Sequence, residues 1–166
     1  MKRFLLLLVF LSQLVFADDS YLIDDSLAMA RQGEFVRASN LIVDLANNGD
    51  SSAQYVLSMY FRDPNALNIP EVGEMWLMRA AENNNAKAQY DLGWRLAAGW
   101  KNDTVEDIVE MIYWFERATF NGSDDAYANL ATLYDNEHRN VLLEMEVAAN
   151  NGNAMAQFNL GWINAR

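Results

Sequence analysis

Few side chains in this sequence could take part in catalysis. The single histidine, His138, could act as a general base, and carboxylates lie close together at Glu106, Asp107 and Glu110. Pairs of carboxylates perform acid/base chemistry in glycoside hydrolases. Here, however, we expect the three carboxylates on adjacent turns of one exposed helix face, and His138 in a polar turn without a neighbouring partner in the sequence. We therefore predict no catalytic residue.

Metal binding is equally poorly supported. The chain has no cysteine, whereas zinc sites use His and Cys in paired spacing. The acidic pairs Asp18-Asp19, Asp24-Asp25 and Asp124-Asp125 precede or open predicted helices, where the helix dipole favours negative charge. None of them fits a calcium loop. We predict no metal site, no cofactor and no disulfide, so the apolar core alone must hold the chain together.

Residues 1–17 have the three parts of a secretory signal peptide. A basic start at Lys2-Arg3 precedes an apolar run over residues 4–16 and the small residue Ala17. The run is shorter than the roughly 20 residues that span a membrane. We therefore predict cleavage after Ala17 and a periplasmic or secreted mature chain without membrane contact, with an uncleaved anchor as the alternative.

The charge of the mature chain restricts its partners. Removal of the signal segment leaves 10 Lys and Arg against 23 Asp and Glu, a net charge of −13 over 149 residues. Nucleic acids and anionic lipids are bound by clustered Lys and Arg, and no such cluster follows Arg3. The acidity either keeps the chain soluble or steers a basic partner toward it. We predict no nucleic-acid and no membrane partner.

One short sequence motif, called the phrase below, occurs four times along the chain. Its clearest copy, from Ala80 to Trp94, contains two alanines, a run of asparagines and then Ala-Lys-Ala-Gln-Tyr-Asp-Leu-Gly-Trp. The equivalent alanines Ala53, Ala88, Ala126 and Ala156 lie 35, 38 and 30 residues apart. That period is typical of solenoids built from helix pairs.

Each copy indicates a helix end, a tight turn and the start of the next helix. Gly49, Gly122 and Gly152 mark three turns, since glycine accepts the left-handed backbone at a helix end, and Asn84 takes that place in the remaining copy. Between the turns, apolar residues recur at three- and four-residue steps. The pattern predicts helices near residues 24–32, 34–47, 51–62, 70–83, 86–98, 105–120, 124–136, 140–150 and 154–165.

The residues before the phrase also recur, as Trp76-Leu77-Met78-Arg79-Ala80-Ala81 in one copy and Trp114-Phe115-Glu116-Arg117-Ala118 in another. Together with the phrase they resemble the Sel-one-like repeat family, a relative of the tetratricopeptide repeat. The resemblance covers the chain from about Asp24 to its end. It implies an all-α solenoid of antiparallel helix pairs in a right-handed superhelix. Such proteins bind other proteins, often in the bacterial envelope or in secretion, and have no common catalytic centre.

The chain departs from this family in the loops between paired helices. The glycine-rich loop is only partly present at Gly99-Trp100, is replaced at residues 62–65 and is almost deleted around residues 136–140. We predict a single repeat domain over residues 18–166 with about four repeats. The first repeat is degenerate, and the last lacks its second helix.

The predicted core collects the residues that share the alanine and leucine face of each helix. They are Leu41, Leu45, Ala53, Leu57, Phe61, Trp76, Leu77, Ala80, Ala88, Leu92, Leu96, Ile112, Trp114, Phe115, Ala126, Leu130, Tyr134, Leu143, Ala156 and Leu160. Each helix pair cannot bury its apolar face alone, so stacking on neighbouring repeats provides the stability.

A second row of side chains on the first helix of each pair is predicted to contact a partner. Exposed Trp beside Arg, Asp and Asn has the composition of a protein-binding hot spot. The candidate residues are Met59, Asp91, Trp94, Arg95, Asn129, Thr132, Phe158, Asn159, Trp162 and Ile163. Trp94 and Trp162 either pack on the adjacent repeat or face a concave groove. Phe158, Trp162 and Ile163 either cover the core as a lone cap or form a docking patch for a partner or a second copy.

The leading hypothesis is an exported, non-enzymatic adaptor that binds a protein or peptide through the concave solenoid surface. The competing class is an envelope enzyme or a protein that binds cell-wall or β-lactam compounds, since cysteine-rich members of the family are described as handling them. This chain lacks those cysteines and has no Ser-x-x-Lys pair. A protein that assembles only with copies of itself is the third possibility.

Overall fold

The computed structural model describes residues 19–98 and 104–163, except for the side chains of residues 134–141, 144, 162 and 163. The helices in these ranges are α1 (Ser20–Arg31), α2 (Phe35–Asn47), α3 (Ser51–Arg62), α4 (Pro70–Glu82), α5 (Ala86–Ala97), α6 (Val105–Phe120), α7 (Asp124–Asn150) and α8 (Ala154–Ile163). The predicted signal segment and the Gly99-Trp100 connection lie outside the described residues.

Each helix packs against the next one in the chain, which is the arrangement of an α-solenoid. The predicted helices at 51–62 and 105–120 have those bounds, and those near 70–83 and 86–98 end one residue earlier. Helix α1 begins four residues before its predicted start. The all-α solenoid of helix pairs is therefore confirmed.

The prediction of two helices at 124–136 and 140–150 is wrong. Helix α7 is continuous from Asp124 to Asn150, a length of 27 residues. Residues 137–139 are Glu, His and Arg, so this stretch has no Gly or Pro, the residues that most strongly end a helix. Because the loop between the paired helices is missing here, the two helices of this repeat form one continuous helix. Helix α8 contacts both α6 and α7.

The turns of the repeated phrase have the left-handed backbone that was predicted. The φ angles are 98° at Gly49, 93° at Gly122, 89° at Gly152 and 64° at Asn84. Asn84 is the one non-glycine residue among them, and asparagine tolerates this conformation better than most residues.

A side-chain cap restarts the helix after each of these turns. The capping oxygens belong to Asp50, Asn85, Ser123 and Asn153, and they accept hydrogen bonds from the backbone N–H groups of Ala53, Ala88, Ala126 and Ala156. The equivalent alanine is therefore the third residue of its helix in every repeat. This local signal sets the helical phase, and the phase decides which side chains face the core.

Most of the predicted core is buried. The buried members are Ala53, Leu57, Trp76, Leu77, Ala80, Ala88, Ile112, Trp114, Phe115, Ala126, Leu130 and Ala156. Leu41, Leu45, Phe61, Leu92, Leu96 and Leu160 are partly buried and pack against them. The side chain of Tyr134 lies outside the described part.

Leu143 was predicted to be buried, and this is wrong because its side chain is 53% exposed. The continuity of α7 explains the error. At about 100° per residue, Leu143 points roughly 140° away from the buried Leu130, whereas Ala148 lies five full turns after Leu130. Ala148 and Met145 are accordingly the buried residues of this segment.

No helix within the described ranges is both long enough and apolar enough to cross a membrane.

Candidate binding surface on the first helices

Helices α1, α3, α5 and the N-terminal part of α7 present one surface, which we call the first-helix face. Neighbouring helices on this face are linked by tyrosines at one repeat position. The Tyr55 hydroxyl on α3 donates to Asp91 Oδ2 on α5 at 3.2 Å. One repeat later, Asn129 Nδ2 on α7 donates to the Tyr90 hydroxyl on α5 at 3.4 Å. The same two repeat positions are thus hydrogen-bonded in both cases, with the tyrosine as donor in the first pair and as acceptor in the second.

A groove of about 360 Å³ opens between α1, α3 and the start of α5. Its lining residues are Ile23, Leu27, Ser52, Tyr55, Val56, Met59, Asn85, Ala86 and Lys87. Met59, predicted to contact a partner, is among them and is partly exposed. The first-helix face therefore offers an accessible and largely apolar concavity.

Asp91 does not line the groove but contacts Tyr55, which does. Its carboxylate accepts the hydrogen bond from Tyr55 and one from Arg62 at 3.4 Å, and its side chain is 30% exposed. Burial, followed by the charge and hydrogen bond of Asp91, raises the pKa of Tyr55 to about 12. Asp91 therefore joins α3 to α5, which leaves only part of its surface for a partner.

Trp94 is the most exposed large aromatic residue of α5, with 54% of its surface accessible. Its ring stacks on Tyr90 at 6.5 Å between centroids with 15° between planes. Arg95, its exposed neighbour, forms an ion pair with Glu74 of α4. The structure thus places Trp94 at the surface, where the sequence left burial and exposure both open.

The predicted residues of α7 have different surroundings. Asn129 is partly buried by its contact with Tyr90. Thr132 is exposed, and its hydroxyl donates to the Ala128 carbonyl of its own helix at 3.0 Å. Both residues lie in the N-terminal part of α7, so both belong to the first-helix face.

The C-terminal candidates are separated from this face. Asn159 is fully buried, and its Nδ2 donates to the Val109 carbonyl of α6 at 3.1 Å, so it is not available to a partner. Phe158 is 45% exposed and contacts the Tyr113 ring edge-on at 5.5 Å. The side chains of Trp162 and Ile163 lie outside the described part.

A smaller pocket of about 210 Å³ lies beside Phe158. It is lined by Asn84, Glu116, Arg117, Phe120, Asn121 and Phe158. Arg117 donates hydrogen bonds to the Tyr113 hydroxyl and to Asn84 at the turn before α5. The contact with Asn84 joins α6 to the preceding repeat, and the sequence did not predict it.

Buried glutamines also escaped the sequence analysis. Gln89 Nε2 donates to the Ala81 carbonyl, and its Oε1 accepts from Asn121 Nδ2, both at 2.8 Å. Gln54 makes the equivalent pair of bonds one repeat earlier. The signal was present in the sequence, because Gln follows the equivalent alanine in three of the four copies.

The carboxylates with catalytic spacing have structural contacts. Asp107 accepts hydrogen bonds from the backbone N–H and the hydroxyl of Thr104, and these bonds lower its pKa. Glu110 accepts from Trp114 Nε1 at 3.2 Å. A lowered pKa is the opposite of what a general acid needs.

No cluster of three metal-ligating side chains occurs in the described part, and the His138 side chain lies outside it.

Comparison with known proteins places the chain in a family. No family model and no curated protein matches the sequence. A solved structure does: the crystal structure of a Sel1 repeat protein from Oxalobacter formigenes is 30% identical, with a TM-score of 0.51. The match covers 72% of this chain and 94% of that chain. The repeat period, the consecutive helix packing and this match agree, and the chain belongs to the Sel1 repeat family.

Proposed function

We propose that this protein is an exported interaction module that holds a protein or peptide partner on its first-helix face. The groove between α1, α3 and α5 carries the proposal, because it leaves apolar side chains such as Met59 and Leu27 accessible. Solenoids generally bind along such extended surfaces. Trp94 adds an exposed aromatic anchor on the neighbouring part of the same face, and Trp is enriched among residues that dominate binding energy.

Site-specific photo-crosslinking tests the binding surface. A photoreactive side chain is placed at Ser52 or Met59 in the groove, and in a control at Met75, which is 41% exposed on α4. After irradiation in cells that make the protein, we expect a discrete crosslinked species from positions 52 and 59 and none from 75. Equal labelling from all three positions would contradict a partner bound on this face.

Export is the second part of the proposal. It is supported by the basic, apolar and small-residue order of residues 1–17. Mass spectrometry of the purified protein tests it, and we expect a mature chain that starts at Asp18. A chain that still starts at Met1 and sediments with membranes would overturn the proposal of export.

Self-association through α8 is a further candidate, favoured by two exposed phenylalanines at one pocket. Phe158 and Phe120 are 45% and 70% exposed and line the same pocket of about 210 Å³. Light scattering tests this idea. We expect a dimer or larger species that Phe158→Ser reduces to the monomer with the helical signal retained. A monomeric wild-type chain would exclude self-association at that concentration.

A further inference from the structure

We infer that the groove between α1, α3 and α5 binds an apolar peptide segment of a partner protein that carries a carboxylate, with Lys87 as the residue that selects the charge. The inference rests on the proposed function and adds the chemistry of the partner. It follows from three properties of the groove: its walls, its hydrogen-bonding groups and its charge.

The walls favour an apolar occupant. Ile23 and Leu27 of α1 face Val56 and Met59 of α3 across the groove, and Ala86 closes it at the start of α5. Val56 is 6% exposed and forms part of the buried core. An apolar side chain placed here covers surface that is otherwise in water, at a gain of about 25 cal/mol per Å².

The polar groups of the groove are mostly engaged. The Tyr55 hydroxyl donates a hydrogen bond to Asp91, and its raised pKa keeps the hydroxyl protonated. Asn85 accepts from the Ala88 N–H at 3.0 Å and donates to the Ser51 carbonyl at 3.1 Å. Among the described residues, the Lys87 ammonium and the Ser52 hydroxyl donate no hydrogen bond, so an acceptor on the occupant complements them.

The charge of the groove favours an anion. Among the described residues that line it, Lys87 is the single charged one and none is a carboxylate. Asp91, one helical turn after Lys87, is engaged by Tyr55 and Arg62. Lys87 forms no ion pair among the described residues. A carboxylate beside the apolar contact therefore complements the groove.

The net charge of the chain limits how acidic this segment can be. With a net charge of −11 for the full sequence, the protein repels long acidic runs. Screening restricts the attraction of Lys87 to roughly 8 Å at physiological salt. The groove therefore fits one or two carboxylates flanked by apolar residues better than a polyacidic tract.

Selection from a random-peptide display library against the mature protein tests the inference. Three proteins are compared: the wild type, Lys87→Glu, and Arg31→Glu as the matched control. Arg31 is an exposed arginine at the end of α1 that does not line the groove, so its reversal changes the net charge equally. Circular dichroism verifies that all three are folded.

We expect the wild type and Arg31→Glu to enrich apolar peptides that contain Asp or Glu. Lys87→Glu should bind those peptides about tenfold more weakly or worse, since a like charge then faces the carboxylate. Enrichment of basic or uncharged peptides by the wild type, or equal losses in both variants, would overturn the inference and leave the proposed function standing. If no peptide is enriched, the result counts against both.

Discussion

The Tyr55 hydroxyl on α3 donates a hydrogen bond to the Asp91 carboxylate on α5, with 3.2 Å between the two oxygens. This contact joins two repeats at the edge of the proposed binding groove. Burial and the neighbouring carboxylate together raise the pKa of Tyr55 from 10.0 to about 12. The contact is therefore tied to the protonated tyrosine, and stability should depend on pH in the alkaline range.

The sign of that dependence follows from the pKa in the two states. Because the folded pKa of Tyr55 lies above the unfolded value, its contribution to the free energy of unfolding is present below about pH 10 and is lost as the pH rises toward 12. Urea unfolding at a series of alkaline pH values should show a smaller decline for Tyr55→Phe than for the wild type. Tyr127→Phe, at a 57% exposed tyrosine, should behave as the wild type does. An unchanged decline in Tyr55→Phe would contradict the assigned contact.

The buried glutamine Gln89 should be essential for stability. Gln89→Leu removes the hydrogen bonds of Gln89 to the Ala81 carbonyl and the Asn121 amide. Both groups keep a second partner, Asn84 N–H and the Arg117 carbonyl, so the expected cost is that of two lost buried hydrogen bonds, about 0.5–1.5 kcal/mol each. The matched control is Gln157→Leu, at an exposed glutamine that bonds the Ala149 carbonyl in the last repeat. We expect a change within about 0.5 kcal/mol there. Urea denaturation measures both, and equal losses would show that burial is not the deciding factor.

Two glycines at one repeat position should respond oppositely to alanine. A Cβ at Gly93 would lie 2.7 Å from Phe115 Cδ1, in a buried contact between α5 and α6. A Cβ at Gly161 of α8 would meet nothing within 4 Å in the part of the chain that the structure describes. Overpacking costs about 1–3 kcal/mol, so Gly93→Ala should destabilise. Gly161→Ala should gain up to about 1 kcal/mol of helix propensity. Urea midpoints test the pair, and a stabilising Gly93→Ala would refute the close helix approach.

Trp94→Ala should weaken partner binding while leaving the fold intact. The side chain is 54% exposed and rests on Tyr90, so its loss removes little core. As a binding anchor it should contribute a tenfold or greater change in affinity, since hot-spot residues typically cost about 2 kcal/mol or more on truncation. Titration with peptides selected on the wild type measures this effect, with Met75→Ala on α4 as control. A large fall in melting temperature would instead assign Trp94 to the structure.

Several features of this protein were determined by the sequence alone, because they depend on residues close together in the chain. The turns were predicted from residues that tolerate a left-handed backbone, namely Gly49, Asn84, Gly122 and Gly152. The spacing of alanines and leucines set the helical phase, and with it most of the core. Repetition strengthened the prediction, since all four copies indicate the same turn and the same buried helix face.

Only the tertiary structure decided which of the candidate binding residues a partner can reach. Asn159 and Asn129 share a repeat position with Asp91, yet Asn159 is fully buried because α8 rests on α6. Met59 and Trp94 share another position, yet Met59 lines a groove and Trp94 stands exposed. Equivalent residues acquire different surroundings because the neighbouring helix differs, and the continuous α7 removes the regular neighbour at one end.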